Sequence, residues 1–374
     1  MRKISELKTA KERRNFLETE LNIDLSQIGS TLIDDEVNIH CENLIGATSL
    51  PVGVGGPITI KYNGKLKDYF IPLATTEGAL VASVNRGCKA ISASGGAIIA
   101  VESNGVTRGP VFETSGIEET LTLKKWIQDN FVDIKKKAEL TSHHVKLKKI
   151  GIRHTSNRLF ARFYYDTDDA MGMNMVTMAT AAACQLIEVK TGIPCQAVAG
   201  NFDIDKKAAW INVITGRGKQ LFAEATIPSR VVKNVLKTDT NRLYSVWLSK
   251  CIFGSYMSGS IGFNNHFANI VAGFFAATGQ DLAHTVEGSL GITTTKVMPD
   301  GALYISVYLP SIMIGTVGGG TMLKTQKEAQ MITGAKKSNE LATALAGAVL
   351  AGELSLLASL AEGSLVRAHQ RLGR

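Results

Sequence analysis

The chain changes character after Pro110 and changes back before residue 198, and this double break limits what it can fold into. Residues 117–150 are rich in lysine, with apolar residues at helical spacing around Leu121, Trp126, Ile127 and Phe131. Leu159–Tyr165 then alternates as a half-buried strand does, and Asp168-Asp169 stands as the cap of a helix running to Gly192. The flanking chain is built instead from glycine and small apolar residues. A block of foreign composition inside a uniform chain reads as an insertion. A small α+β unit over 110–197 thus interrupts a larger one made of 42–109 and 198–374. Residues 1–41 are charged, with Ile4, Leu7, Ala10, Leu17 and Leu21 at helical intervals, and form a helical N-terminal segment. The expected class is α+β: a large mixed helical and sheet domain with a small inserted one.

Within the large part, Gly53, Gly55, Gly56 and Pro57 close a Gly/Pro-rich stretch that begins at Glu42, where close backbone approach and positive φ are cheap. Thr75-Thr76-Glu77-Gly78 is expected to open a helix, with threonine as N-cap and a carboxylate in the first turn. Trp210–Ile214 reads as a strand, as does Leu303–Leu309, and long small-residue helices are expected near 255–278 and 339–362. The longest apolar candidate, Ile270–Thr278 between Asn269 and Asp281, falls short of the ~18 residues that cross a bilayer. With no signal peptide at the N-terminus either, the chain reads as soluble and cytoplasmic.

A formal net charge of +8 and a pI near 9.1 favour an anionic partner. There is no basic tail or zinc-finger spacing and aromatics are 6% of residues, so nucleic acid is a weaker choice than a phosphate-bearing metabolite. Cys41, Cys88, Cys184, Cys195 and Cys251 are odd in number, scattered and free of CxxC spacing, as reduced thiols would be. The histidines show no HExxH or other ligand spacing, so no metal site is inferred, and His143-His144 among lysines reads as a surface pair.

Three segments carry chemistry. In Asn201–Asn212 two adjacent lysines, Lys206 and Lys207, follow Asp205. Lysine pairs ordinarily lie in water, but these flanks read as half-buried, so an anion must compensate them: Asp205, or a polyanionic ligand. In Asp169–Met175, Met171, Met173, Met175 and nearby Met178 taken alone are core packing. Alternate residues cannot share one helix face, however, and Gly172 in a first turn costs ~1 kcal/mol against alanine. It makes sense with a ligand against the helix N-terminus, where free N–H groups attract phosphate. Gly315–Thr321 follows a strand and is neither GxGxxG nor a P-loop. Together the two glycine sites suggest a dinucleotide held outside a Rossmann fold. His369 is a bystander unless the tail folds over a site, with Gly363 as hinge.

These segments stand in order with ENLIGATSLPVGVGGP (42–57), TTEGALVASVNRGCKAI (75–91), TRGPV (107–111), GSIGFNNHFANIVAGFFAATGQD (259–281) and AGELSLLASLAEGSLVRAH (351–369). Over roughly 40–374 the chain resembles the soluble catalytic domain of 3-hydroxy-3-methylglutaryl-coenzyme A (HMG-CoA) reductases. DAMGMNM and the terminal histidine point to the biosynthetic class. The resemblance implies a catalytic group of Glu77, Lys206, Asp281 and His369. It places Arg108, Lys207 and Lys250 at the acyl group's free carboxylate, with Asp205 and Asn269 nearby. Asp169, Met171, Gly172, Met173, Asn174 and the loop with Thr316, Val317, Gly318 and Gly319 would line the nicotinamide cofactor site. It further implies a ferredoxin-like inserted domain that binds NADP(H), and a homo-oligomer, a dimer or larger, with sites shared between subunits. Ala199 stands where a serine is usual and Ala208 where a proline is usual. The chain ends at Arg374, short of the phosphorylatable serine of animal enzymes, and lacks their membrane anchor, so neither that control nor residence in the endoplasmic reticulum is expected.

The implied reaction takes HMG-CoA to mevalonate and free coenzyme A with two NADPH. Lys206 would stabilise charge on the carbonyl oxygen, Glu77 would supply a proton, and His369 would protonate the departing thiolate. The basic stretch Lys146–Arg158 favours NADPH over NADH. Three alternatives stay open: the same fold run oxidatively with NAD for mevalonate catabolism, a coenzyme A- or nucleotide-binding protein without catalysis, and a nucleic-acid binder resting on charge alone. No metal and no membrane partner is expected.

Overall fold

The computed structural model describes Leu7, residues 10–29 and residues 48–363. Cys41, the 42–47 part of the Gly-rich stretch and His369 lie outside the described residues. After helix α1 (Ala10–Leu21), strands β1 (Val52–Tyr62) and β2 (Lys65–Ala74) form a hairpin, followed by α2 (Leu80–Ser92) and β3 (Ala97–Arg108). The inserted stretch then runs β4 (Val111–Glu113), α3 (Ile117–Asp129), α4 (Phe131–Glu139), β5 (Lys146–His154), β6 (Arg158–Asp166), α5 (Met173–Thr191) and β7 (Cys195–Ala197). The chain continues with α6 (Trp210–Thr215), β8 (Gly218–Ile227), α7 (Ser229–Asn234), α8 (Thr240–Trp247), α9 (Ser255–Ser258) and α10 (Phe267–Thr278). It ends with α11 (Thr285–Gly288), β9 (Ile292–Val297), β10 (Leu303–Ile312), α12 (Lys324–Thr333) and α13 (Ser338–Glu362).

The strands form one sheet in the order β7-β4-β6-β3-β8-β10-β9, with β5 on β6 and the β1–β2 hairpin on β3. Strand β3 belongs to both halves. Its first part pairs β8 (Val101 opposite Leu221), and its last residues pair β6 (Arg108 opposite Phe163). Two cores result. One gathers the alternating inward residues of β8 and β10 (Leu221, Ala223, Ala225; Ile305, Val307, Leu309) beneath α13. The other gathers Phe112, Leu123, Ile127, Leu159, Phe163 and Ala183 of the inserted stretch, with Val106 and Met313 from outside it.

Helix α13 is the longest apolar helix described, longer than the 270–278 segment singled out from sequence. By length and composition it could cross a membrane, yet 94% of its apolar window is buried inside the protein. Its small residues explain why: a Cβ on Gly87 of α2 would strike the Ala351 carbonyl, and one on Gly347 would lie 2.7 Å from Ile60. Wholly buried Glu353 on α13 accepts the N–H groups of Asn265 (2.8 Å) and His266 (2.7 Å) and so caps the start of α10.

Four local expectations fail. Trp210–Ile214 is helix α6, not strand. A helical turn puts Asn212 inside, where it bonds Ile204 O and Arg162, and leaves Trp210 and Ile214 exposed; tertiary bonding overrides β propensity. Thr75 and Thr76 do not cap α2, which starts at Leu80 with no acidic residue in its first turn. The helix beyond the two aspartates starts at Met173, with left-handed Gly172 (φ 85°) as its cap residue. The 255–278 helix is broken between Ser258 and Phe267, after left-handed Gly259.

Candidate active site

A strained turn lies at the centre. Ile204 and Lys206 are both left-handed, at φ 51° and 58°. For side-chain-bearing residues such backbone costs ~1–3 kcal/mol each and persists only where the surroundings over-determine it. Thr107 Oγ1 donates to Asp203 O (2.9 Å), Asn212 Nδ2 to Ile204 O (3.2 Å) and Lys206 N to Glu287 Oε1 (3.3 Å). Glycine at 109 is required as well, since a Cβ there would strike the Asp203 nitrogen.

Beneath the turn lies a buried cluster of charge. Arg217 has no exposed side-chain surface; its Nη2 lies 2.9 Å from Asp205 Oδ1 and its Nη1 2.5 Å from Glu287 Oε1. It also donates to Thr107 Oγ1 (2.9 Å) and to Met173 Sδ (3.2 Å). Arg108 Nη1 pairs with Asp203 (3.0 Å) and more loosely with Asp205 (3.5 Å), while its Nε and Nη2 donate to Thr177 Oγ1. His284 is wholly buried, its Nδ1 2.6 Å from Glu287 Oε1. Ligand atoms of Asp205, His284 and Glu287 lie within 4.8 Å of one another, as around a metal ion, but the Arg217 guanidinium already bonds two of the three.

A partly exposed ion pair adjoins this floor. Lys206 Nζ lies 2.8 Å from Asp281 Oδ2, with the two side chains 42% and 33% exposed. The hydrogen bond to Asp281 holds the Lys206 ammonium above its ordinary value. Burial works to raise the Asp281 carboxyl. The hydrogen bond from Lys206, the charge of His284 and the Ala283 N–H outweigh it and leave the group below the usual carboxylate value. The anion that compensates Lys206 is therefore Asp281, because Asp205 is engaged by two arginines. Lys207 is exposed, and among the described residues its Nζ reaches only the Asp205 carbonyl, at 3.5 Å.

The two glycine-rich segments meet beside this pair. Thr316 N donates to Asp169 O (2.8 Å), and Ala170 and Val317 form a parallel bridge. A Cβ on Gly315 would strike the Met171 nitrogen. Gln280, next to Asp281, accepts from Gly315 N (2.9 Å) and donates to Gly315 O (3.0 Å), which ties the loop to the segment carrying Asp281. Asp169 Oδ1 accepts the N–H (2.8 Å) and hydroxyl (2.9 Å) of Ser338 at the start of α13. Asn174, Val317, Gly318 and Gly319 are exposed and Met171 partly so, whereas Met173 is 7% exposed and supports the site from below.

Of the other expected residues, Asn269 is partly buried on α10 and Lys250 is exposed on the π-helical turn after α8. Glu77 is exposed in the turn before α2, where its N–H donates to Thr75 Oγ1 (3.0 Å), and it forms no ion pair with Lys206 or any other described residue. Sequence reasoning missed Arg217, His284, Glu287, Asp203 and Thr177. The spacing of Asp281, His284 and Glu287, three residues apart at each step, was the available signal.

A sequence model of the hydroxymethylglutaryl-coenzyme A reductase family matches residues 9–374. The 3-hydroxy-3-methylglutaryl-coenzyme A reductase of Methanocaldococcus jannaschii is 47% identical over 373 residues, covering 97% of this chain and 92% of that protein. Its counterpart in Haloferax volcanii is 42% identical over 374 residues, covering 98% and 93%. A solved structure of the class II enzyme from Streptococcus pneumoniae, bound to NADPH in open conformations, matches with a TM-score of 0.77 at 17% identity, covering 96% of this chain and 98% of that one. That last likeness is one of fold, and it agrees with the mixed helix and sheet described above. On the sequence matches, the chain belongs to the hydroxymethylglutaryl-coenzyme A reductase family.

Proposed function

We propose that this protein reduces HMG-CoA to mevalonate and free coenzyme A with two NADPH, as a step of isoprenoid-precursor synthesis. The observation that carries the reading is the Lys206–Asp281 pair, partly exposed on a strained turn beside a glycine-rich rim. Taking a thioester to a primary alcohol and a thiol requires two hydrides and two protons. Bound at the rim, the reduced nicotinamide supplies the hydrides. The residues there fit such a group: Gly318 and Gly319 are exposed at φ 80° and 57°, and buried Thr316 Oγ1 has no partner among the described residues. Exposed Lys148, Lys149 and Arg153 on β5 support a preference for the phosphorylated dinucleotide. The antiparallel order β7-β4-β6-β5 with its two intervening helical segments supports reading 110–197 as a ferredoxin-like cofactor domain.

Lys206 donates to the carbonyl oxygen as negative charge develops, and Asp281 keeps the ammonium in place. Arg108, Lys207, Lys250 and Asn269 receive the acyl carboxylate, Arg108 being held by Asp203 and Asp205. His369 protonates the thiolate of departing coenzyme A. Glu77 delivers protons to the oxygen and reaches the site from a second copy of the chain. What supports the shared site is the exposure of Glu77, which forms no ion pair with Lys206, together with exposed Phe253, Tyr256 and Met257 near Lys250 in sequence.

The test is nicotinamide absorbance with HMG-CoA, comparing NADPH with NADH: two NADPH oxidised per coenzyme A released supports the reading, and no oxidation rejects it. Mixing Lys206→Ala with Glu77→Gln tests the shared site. In a two-site dimer that exchanges subunits, about a quarter of wild-type activity returns, because half of the mixed dimers' sites are intact. No recovery places both residues in one subunit.

A further inference from the structure

His284 touches neither the solvent nor, at its Nε2, any hydrogen-bond partner among the described residues. Charged groups nonetheless stand at both of its ring nitrogens. On its own turn and the helix after it, Glu287 Oε1 lies 2.6 Å from Nδ1 and Asp281 Oδ2 lies 3.7 Å from Nε2. From the strained turn, Asp205 Oδ1 lies 3.7 Å from Nδ1, and from the start of β8, Arg217 Nη1 lies 3.4 Å from it. Lys206 approaches through both carboxylates: its Nζ pairs with Asp281 and its backbone N–H donates to Glu287.

The proton positions follow from what each partner can do. An ionised carboxylate only accepts, so the 2.6 Å contact with Glu287 requires a proton on Nδ1. A neutral ring would then turn the Nε2 lone pair toward the Asp281 carboxylate, which is repulsive. A proton on Nε2 makes the same contact attractive. Both nitrogens face carboxylates, and the arrangement is that of an imidazolium.

We propose that His284 is a charged positioning residue that shares Asp281 with Lys206 and thereby sets how tightly the reactive ammonium is held. While His284 is charged, Asp281 divides its attraction between two cations, and Lys206 can lean toward the developing oxyanion. When the ring loses its Nε2 proton, Asp281 faces Lys206 alone and draws it back from the substrate. The inference rests on reading Lys206 as the group that meets the carbonyl oxygen.

The experiment is the pH profile of kcat/KM for HMG-CoA reduction by wild type and His284→Gln, alongside NMR of the histidine rings in the 15N-labelled full chain. Among the described histidines His284 alone is fully buried, which marks its signal by slow exchange. We expect a doubly protonated ring at neutral pH whose titration coincides with an alkaline fall in wild-type kcat/KM. His284→Gln should lower kcat about 10–100-fold, the loss seen when a partner that orients a metal ligand is removed, with a smaller change in KM. It should also lack that alkaline limb. A neutral ring at pH 7, or a limb unchanged in His284→Gln, overturns the proposal. Should that variant not fold, a wild-type ring titration that misses the wild-type limb overturns it equally. Absence of turnover in wild type would reject the reductase reading instead, and the ring's protonation state would still decide whether His284 is charged.

Discussion

The floor and the rim of this site are made in opposite ways. The floor (Arg217, Glu287, His284, Asp205) is shaped by ionisable side chains that are wholly buried except for the partly exposed Asp205, so each group is fixed by its partners. The rim (Gly172, Gly315, Gly318, Gly319) is shaped by the absence of side chains, and what fixes it is backbone bonding to Asp169 and Gln280. Lys206 belongs to both, with its backbone nitrogen bonded to the floor and its ammonium partly exposed at the edge. Damage to the floor should therefore appear in stability first, and damage to the edge or rim in turnover or cofactor affinity first.

The largest effect should come from Arg217→Met. It takes the nearest guanidinium from Glu287 and Asp205 and leaves them only His284 and the looser Arg108 contact, and breaking such a pair from one side costs about 3–5 kcal/mol. A denaturant midpoint close to wild type would show that the floor is more hydrated than its burial indicates. Next comes Lys206→Ala, which should leave the fold intact while kcat falls by about 10²–10³, roughly 3–4 kcal/mol of transition-state stabilisation. Near-normal turnover would remove Lys206 from the chemistry.

The same contrast explains what could be read in the sequence. The rim was legible because runs such as Gly318-Gly319-Gly320 and the Met171-Gly172 step break local rules without a partner nearby in sequence. Strand β6 was legible from its alternation and α13 from its run of small residues, whereas α10 was read as the end of a longer helix. The floor was not, because charge pairing is a long-range property: Arg217 meets Glu287 across 70 residues and Thr107 across 110. An isolated arginine between two glycines carries no sign that it will be buried. Asp205 was weighed as counter-ion to the lysine pair for the same reason, its claim by Arg217 and Arg108 being invisible along the chain. The 210–215 segment failed because a single side chain, Asn212, decides its conformation through bonds to Ile204 and Arg162.

Gly315→Ala probes the rim at a smaller scale. The added methyl meets the Met171 backbone nitrogen, which cannot move without breaking the bridge between Ala170 and Val317. Overpacking of this kind costs typically 1–3 kcal/mol. It should weaken NADPH binding and raise its KM while leaving the unfolding midpoint less affected than Arg217→Met does. A variant that loses stability but keeps wild-type KM for NADPH would make the rim structural.

The smallest stability effect should belong to Lys206–Asp281, the pair to which the proposed chemistry is assigned. The Asp281 carboxyl lies below its ordinary value in the folded protein, so its contribution is fully present above the unfolded value of about 3.9 and is lost as pH falls through the folded one. The Lys206 ammonium lies above its ordinary value, so its contribution is present below about 10.4 and is lost as pH rises through the folded value. Across the neutral range both are in place, yet the pair is exposed enough that solvent screening limits it to about 1 kcal/mol or less. Asp281→Asn should then unfold within about that margin of wild type at pH 7, and the gap should close as pH drops below about 3.9. Turnover of the same variant should fall severely, because Lys206 loses the group that aims it. A stability loss near that of Arg217→Met would mean that Asp281 is part of the buried floor, held there through His284, and that edge and floor act as one electrostatic unit.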